Sequence, residues 1–437
     1  MFQNNIEKIK AAGIVGAGGA GFPTHVKLNS KAEVVIINGA ECEPLLRVDQ
    51  QMMEFYSEDV VEGLRISMSQ TGAKRGVICL KGKYKKAIKK LEKILINEKN
   101  MELRIIKDYY PAGDEQQLVY EVTGKVVPLM GIPLDVGAVV INVLTSIHIA
   151  KDEPVINRVI TVAGAVEKPQ TIIAPVGTSF RKLIKACFGP NNLNDYSLIV
   201  GGPMMGYVEE DWDAPVTKVS GGIVVLPKDH SLIIKKTRKT IVDLQLTKAI
   251  CCQCSYCTDM CPRYIIGLNT EPHKVMRGLA NEDPSALGTI SSVVSCCNCG
   301  LCSLYACPMD LDPGKITNMV KQSLLKKGAK TEKIIPYEVD ELRESKKVPT
   351  KRLIARLDLI DYNVAAPLNQ AIFDTKNVKI MLKQHIGVTA TSLVEIGTIV
   401  TKGMLIASCG DKLGANIHAS INGKVINLTN DYIEIQA

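Results

Sequence analysis

The sequence predicts an α/β multidomain chain of four units. Three observations carry this: short apolar runs alternate with amphipathic stretches up to about residue 145, ten of the fourteen cysteines lie between 251 and 307, and the last part changes to short strands punctuated by turns. At 437 residues the chain is too long for one ordinary core. Hydrophobic residues at 46% and charged residues at 22% give the balance of a globular protein and exclude a disordered or fibrous one.

The first unit covers residues 1–156. "EVVIIN" (33–38), "GVICLKG" (76–82), "ELRIIK" (102–107) and "GAVVINV" (137–143) read as strands buried on both faces, with helical patterns around 54–70, 84–97 and 114–123. Such alternation builds a largely parallel sheet, whose ligands bind at the carboxyl ends of strands. The apolar stretch 127–150 is broken by Pro128, Gly131, Pro133, Asp135 and Gly137, so it reads as a loop and a buried strand with no transmembrane segment. In "KGKYKKAIKKLEK" (81–93) and its continuation, Ile88, Leu91 and Leu95 fall at helical spacing and leave a solvated basic face. The formal charge is +8, but aromatic residues are only 5% and do not interleave with the basic run. No nucleic acid is expected, and an acidic redox partner is the better match.

A second unit, 157–227, is α+β in pattern: "RVITVAGAV" as strand, "SFRKLIKACFG" as helix, "YSLIVGGPMMG" as strand and turn. A charged, strand-poor bridge (228–247) leads to the cysteine-rich unit, 245–330, and a charged linker (330–352) follows it. The last unit, 353–437, reads as a small β-barrel or sandwich, with Asn422-Gly423 as a hairpin signal.

The start "MFQNNIEKIKAAG" has no export signal, which implies a cytoplasmic chain whose thiols stay reduced. Clustered cysteines then mean metal chemistry, while the scattered Cys42, Cys79, Cys187 and Cys409 read as small buried hydrophobes. "CCQCSYCTDMCP" fits C-x2-C-x2-C-x3-C-P, and "CCNCGLCSLYACP" fits the same pattern with x4 at the last step. Three thiolates at this spacing wrap one face of a cubane, and the distant cysteine before proline completes the neighbouring one. Cys251, Cys254, Cys257 and Cys307 are therefore assigned to one [4Fe-4S] cluster, and Cys296, Cys299, Cys302 and Cys261 to the other. Cys252 and Cys297 are left over. A pair of zinc ribbons is the alternative, but zinc gains nothing from the third cysteine or the trailing proline.

"GIVGAGGAGFPTHVKL" (13–28) holds five glycines. Alone, Gly16-x-Gly18-x-x-Gly21 is equally a flexible turn, and it precedes a strand where a dinucleotide fingerprint would follow one. Its neighbours add to it: "INGAECEP" (37–44) puts Glu41 and Glu43 at a strand end, "YYPAGDEQQ" (109–117) puts Asp114 and Glu115 at a helix start, and "INVLT" (141–145) ends another strand.

These residues resemble the flavin- and NADH-binding proteins related to the flavoprotein subunit of respiratory complex I, and among them the RnfC-type and PduS-type electron-transfer proteins. The resemblance covers nearly the whole chain. It implies a complex I flavoprotein-like FMN domain, a β-grasp (SLBB) domain, a two-cluster ferredoxin-like domain and a C-terminal barrel-sandwich hybrid of lipoyl type, placed last as in the PduS-type cobalamin reductases of propanediol-utilising microcompartments. It implies FMN, two [4Fe-4S] clusters and NADH as substrate, with Gly16, Gly18, Lys27, Asn38, Glu41, Tyr110, Gly113, Asn142 and Thr145 around the flavin. Phe22, Glu43 and Glu115 fall on the NADH side, the two glutamates as catalytic residues. Ala40 stands where the complex I subunit has an acid, and Asp114 replaces the first glutamate of its pair. The implied activity is NADH-dependent electron transfer to cobalamin or a cobalamin-handling protein, in the cytoplasm or within a microcompartment whose shell is a further partner. An RnfC-like input subunit feeding a membrane complex or a substrate reductase is the alternative, and a scaffold with structural metal clusters is another. In the barrel, Lys402 and Lys412 are candidates for lipoylation, but the hairpin expected at the tip, Asn422-Gly423-Lys424, lacks the Asp-Lys pair that a lipoyl ligase reads, so an unmodified packing or docking module is expected. His273 and His418 read as polar surface or loop residues rather than cobalt ligands.

Overall fold

Residues 2–437 are described by the computed structural model, with side chains from residue 5 onward except that of Pro284. Four parallel strands form the first sheet in the order Met101–Ile106, Arg75–Lys81, Val34–Gly39, Ala138–Asn142. Val35, Ile36, Ile37, Val77 and Ile78 are fully buried because helices cover both faces of the sheet. Ser57–Thr71 and Lys85–Leu95 pack on one face, and Glu115–Thr123 packs on the other. The strand order reverses between Val34–Gly39 and Ala138–Asn142, which makes their carboxyl ends the natural ligand crevice. Asn38 and Asn142 are register partners at that point.

The stretch read as a loop and strand over 127–150 does contain the strand, but Val143–Lys151 is a helix. Asn142 starts it, its side chain accepting the Leu144 N–H at 2.9 Å. A short apolar run cannot be told from a buried helix by periodicity, and here the cap was the signal.

The second unit is a mixed six-stranded sheet over the helix Phe180–Ala186. Its edge strand, Leu368–Ile372, comes from the last unit and pairs parallel to Gln170–Pro175, so the C-terminal part completes the β-grasp sheet. The barrel stacks a four-stranded and a three-stranded sheet on a shared core of Val378, Ile380, Ile406, Val425 and Ile433. Asn422-Gly423 does not close a hairpin: Ile417–His418 and Gly423–Leu428 belong to different sheets, and Asn422 instead accepts the Lys402 N–H at 2.7 Å. His418 is buried rather than at the surface.

Both charged connectors are docked elements. The bridge forms the helices Ser231–Thr237 and Thr240–Ile250, with Lys235 buried against Ser303 O at 2.8 Å. The segment 330–352 is a strap: Ile334 bridges Leu129, Val348 pairs with Tyr110, and Arg343 and Lys347 both reach Glu121. Arg343 lies over the Tyr120 ring and Lys347 over that of Tyr109. Their charge looked like solvated linker because its partner lies over 200 residues away in sequence.

Candidate functional site

The glycine-rich loop lies against the crevice at the sheet's switch point. Its neck is closed by the Gly16 N–H donating to Phe22 O at 2.9 Å and by the Ala17 N–H donating to Thr145 Oγ1 at 2.9 Å. Gly18 runs so close to Asn142 that an added Cβ would meet that side chain at 3.4 Å. Among the described residues, no acceptor faces the N–H groups of Gly18, Gly19 and Ala20. Unpaired donors grouped on a glycine loop form an anion-binding concavity, which fits the phosphate of a flavin mononucleotide. Lys27 donates to Glu115 Oε1 and to Val140 O, both at 2.9 Å, so the residue expected beside flavin and the one expected beside NADH are ion-paired. Asn38 donates to Gly113 O at 2.9 Å and accepts the Ala40 N–H, fixing the strand end to the loop that follows Tyr110.

Glu41 is half-buried, and its Oε2 accepts the Asp49 N–H at 3.1 Å. Burial, with the Asp49 carboxylate nearby, raises Glu41 to about 8. Burial raises Asp49 to about 6, opposed by the Asn142 amide at 3.0 Å. The pair keeps a proton near neutral pH. Asp49 was missed in the sequence because it opens an ordinary helix, and only folding brings it to Asn142.

Glu43, expected on the NADH side, reaches the second unit. Its two oxygens accept the N–H groups of Met204 and Met205 at 2.8 and 2.9 Å, and a Cβ on Gly202 would overlap it. The carboxylate is thus spent on seating the β-grasp hairpin against the flavin domain. Tyr110, expected beside the flavin, is buried and its hydroxyl donates to Cys299 O at 2.6 Å.

The ten clustered cysteines fall into two cavities. One is lined by Cys251, Cys252, Cys254, Cys257 and Cys307. The other is lined by Cys261, Cys296, Cys297, Cys299 and Cys302. Each expected ligand set is therefore brought together, including the exchange of the two distant cysteines. Both loops reach this arrangement through left-handed residues at matching places: Gln253 and Ser255 in the first, Asn298 and Gly300 in the second. The x4 step of the second loop is absorbed by a π-helical turn, Cys302–Ala306, in which the Cys307 N–H donates to Cys302 O at 3.1 Å. Among the described residues, no three cysteine, histidine or acidic side chains converge tightly enough to chelate one ion. A zinc site draws its thiolates within one tetrahedron of about 2.3 Å radius, whereas a cubane seats them on separate corners.

One segment joins the two centres. Besides the Asn38–Gly113 and Tyr110–Cys299 bonds, Asp114 pairs with Arg263 at 2.7 Å and Gln117 donates to Pro262 O. Residues 110–117 thus touch the flavin crevice on one side and both halves of the second cysteine set on the other.

Comparison with known proteins agrees with this geometry. The Nuo51 FMN-binding domain matches residues 9–151, the SLBB domain 159–208, the 4Fe-4S dicluster domain 250–312 and the RnfC barrel sandwich hybrid domain 346–436. The chain is an oxidoreductase that carries FMN and [4Fe-4S] clusters. Cobalamin reductase PduS of Citrobacter freundii is 39% identical over 98% of this chain and 95% of its own length. A component of the Na(+)-translocating ferredoxin:NAD(+) oxidoreductase complex of Acetobacterium woodii is 38% identical, over 59% of this chain and 57% of its own length. The chain belongs to the PduS cobalamin reductase family. Among solved structures, an NAD+-reducing [NiFe]-hydrogenase in the H2-reduced state shares the fold at a TM-score of 0.50 and 18% identity, covering 77% of this chain and 64% of its own. No helix among the described residues is long and apolar enough to cross a membrane.

Proposed function

We propose that the chain oxidises NADH and delivers the electrons one at a time to cobalamin, with the Cys261/Cys296/Cys299/Cys302 centre loaded first and the Cys251/Cys254/Cys257/Cys307 centre second. The observation that carries this order is the segment 110–117, which ties the flavin crevice to the second cysteine set and makes no such contact with the first. FMN, when bound, accepts a hydride and gives up single electrons, which is the conversion this chemistry needs.

The protein's own part is positional. Gly18, Gly19 and Ala20 offer N–H groups to a phosphate, while Asn38 and Asn142 hold the strand ends on either side of the crevice. The Glu41–Asp49 pair, protonated once near neutral pH, can hold or release the proton left when a hydride is split into two electrons. Lys27 and Glu115, half-exposed at the rim, would orient the nicotinamide nucleotide. Glu43 acts as a positioning residue through Met204 and Met205. Around the outer cysteine set, Cys252 and Cys254 are exposed, which suits an exit to a partner at the surface. The relatives' name supports cobalamin as the acceptor, with a cobalamin-handling protein as the partner and a microcompartment as the setting.

The balance is one NADH to two cob(III)alamins, giving NAD+, one proton and two cob(II)alamins. Reconstituted protein mixed anaerobically with NADH and hydroxocobalamin should bleach the cob(III)alamin band at that ratio. Brisk reduction of an artificial dye with an unchanged corrin spectrum would instead assign the chain an input role like that of the Rnf-type proteins.

A further inference from the structure

Arg158 belongs to the β-grasp strand Asn157–Gly164, outside the region matched to the FMN-binding domain, yet it ends on the glycine-rich loop. Its Nη2 donates to Ala17 O at 2.9 Å and its Nε to Ser220 O at 2.6 Å. The residue is 3% exposed, its Nη1 has no hydrogen-bond partner, and among the described residues no carboxylate lies within ion-pairing distance of it. A second β-grasp cation, Lys218, is 2% exposed and donates to Gly13 O at 2.7 Å, again with no acidic partner. Two basic side chains without acidic partners are thus buried behind one loop; burial lowers Lys218 to about 7, so the charge that persists there is that of Arg158.

Burying a charge without a counter-charge is among the most expensive arrangements a fold can hold. The nearest acids, Asp49 and Glu41, attract Arg158 only at longer range, and they share a proton themselves. The loop geometry gives this charge a use. Because the peptide unit is planar and trans, turning the Ala17 carbonyl toward Arg158 turns the Gly18 N–H the opposite way, into the group of unpaired donors. The guanidinium therefore polarises, from behind, the peptide whose Gly18 N–H would meet an anion.

We propose that Arg158 is part of the flavin site: it fixes the glycine-rich loop through Ala17 and, from behind that peptide, supplies positive charge that favours an anionic oxygen of the bound flavin nucleotide. This rests on the reading of the crevice as an FMN site. The anionic oxygen could come from the phosphate or from the reduced ring, and the two sources can be separated.

Flavin-depleted protein with both clusters in place is titrated with FMN and with riboflavin, following quenching of flavin fluorescence. For Arg158→Met, FMN affinity should fall on the order of 10- to 100-fold, the range of a lost charged hydrogen bond, with the cluster absorbance unchanged. A loss confined to FMN assigns the phosphate. If the oxidised affinities are unchanged but the flavin potential falls, the ring is assigned. Arg158→Lys keeps the charge without the forked donors and should recover part of the affinity. Should Arg158→Met not fold, a lysine variant with full FMN affinity and potential would overturn the proposal. So would an Arg158→Met protein that matches the parent in both. Failure of the parent itself to bind FMN would refute the crevice reading instead.

Discussion

Cys251–Cys257 and Cys296–Cys302 pass through the same backbone states, with left-handed residues third and fifth in each, yet they meet different surroundings. The first loop lies at the surface, with Cys252 and Cys254 exposed, and is backed by helices of its own domain. The second is enclosed: Cys299 and Cys302 are buried, Tyr110 and Met204 come in from two other domains, and Arg263 links it to Asp114. The sequence repeat specifies how a loop wraps a cubane. Where that cubane stands in a relay is decided by what else reaches the loop.

The sharpest way to break this comparison is to remove one centre at a time. Cys254→Ser should cost roughly half of the iron and sulfide, leaving FMN bound and the inner cluster still reducible by NADH. Cys299→Ser should cost a similar share and also isolate the outer cluster, so that NADH reduces flavin and nothing beyond it. Electron paramagnetic resonance of the NADH-reduced proteins separates the two. An outer cluster that still reduces in Cys299→Ser would reverse the proposed order.

A milder change tests the junction alone. Tyr110→Phe keeps the ring in its buried place but leaves Cys299 O without its donor, at a cost of about 1–3 kcal/mol. The potential of the inner cluster should move while that of the outer one stays, since cluster potentials follow local hydrogen bonding. A redox titration monitored at both signals gives the answer, and equal shifts in the two would mean that Tyr110 supports the domain rather than the centre.

Much of this was legible in the sequence because it was local. Apolar runs alternating with helical patterns gave the parallel sheet, and cysteine spacing gave two ligand sets that the structure brings together. What was not legible was carried by contacts between distant segments. The resemblance puts Glu43 on the NADH side, and its seat on the β-grasp hairpin, which takes both its oxygens, carries no signal in the sequence. Arg158 sits in a strand pattern where an arginine carries no signal, and only the fold brings it to Ala17. Arg343 and Lys347 read as linker because charge in a connector ordinarily faces water.

The smallest expected effect asks whether the loops differ in intrinsic strain as well as in setting. Gly300 has φ +74°, and a Cβ there would come within 3.4 Å of Leu304 and Met204 O, so Gly300→Ala carries both backbone cost and crowding. A non-glycine residue in the left-handed region costs about 1–2 kcal/mol. Ser255, at the matching place in the exposed loop, already bears that cost with φ +64°. Ser255→Gly should therefore stabilise the protein by up to about 1 kcal/mol, partly offset by the greater freedom of glycine in the unfolded chain. Denaturant midpoints measured anaerobically should move in opposite directions for the two variants, Gly300→Ala downward and Ser255→Gly upward. The same sign for both would show that the cubane, and not the backbone, sets the conformation of these loops, and the shared left-handed pattern would then be a consequence of cluster binding rather than its preparation.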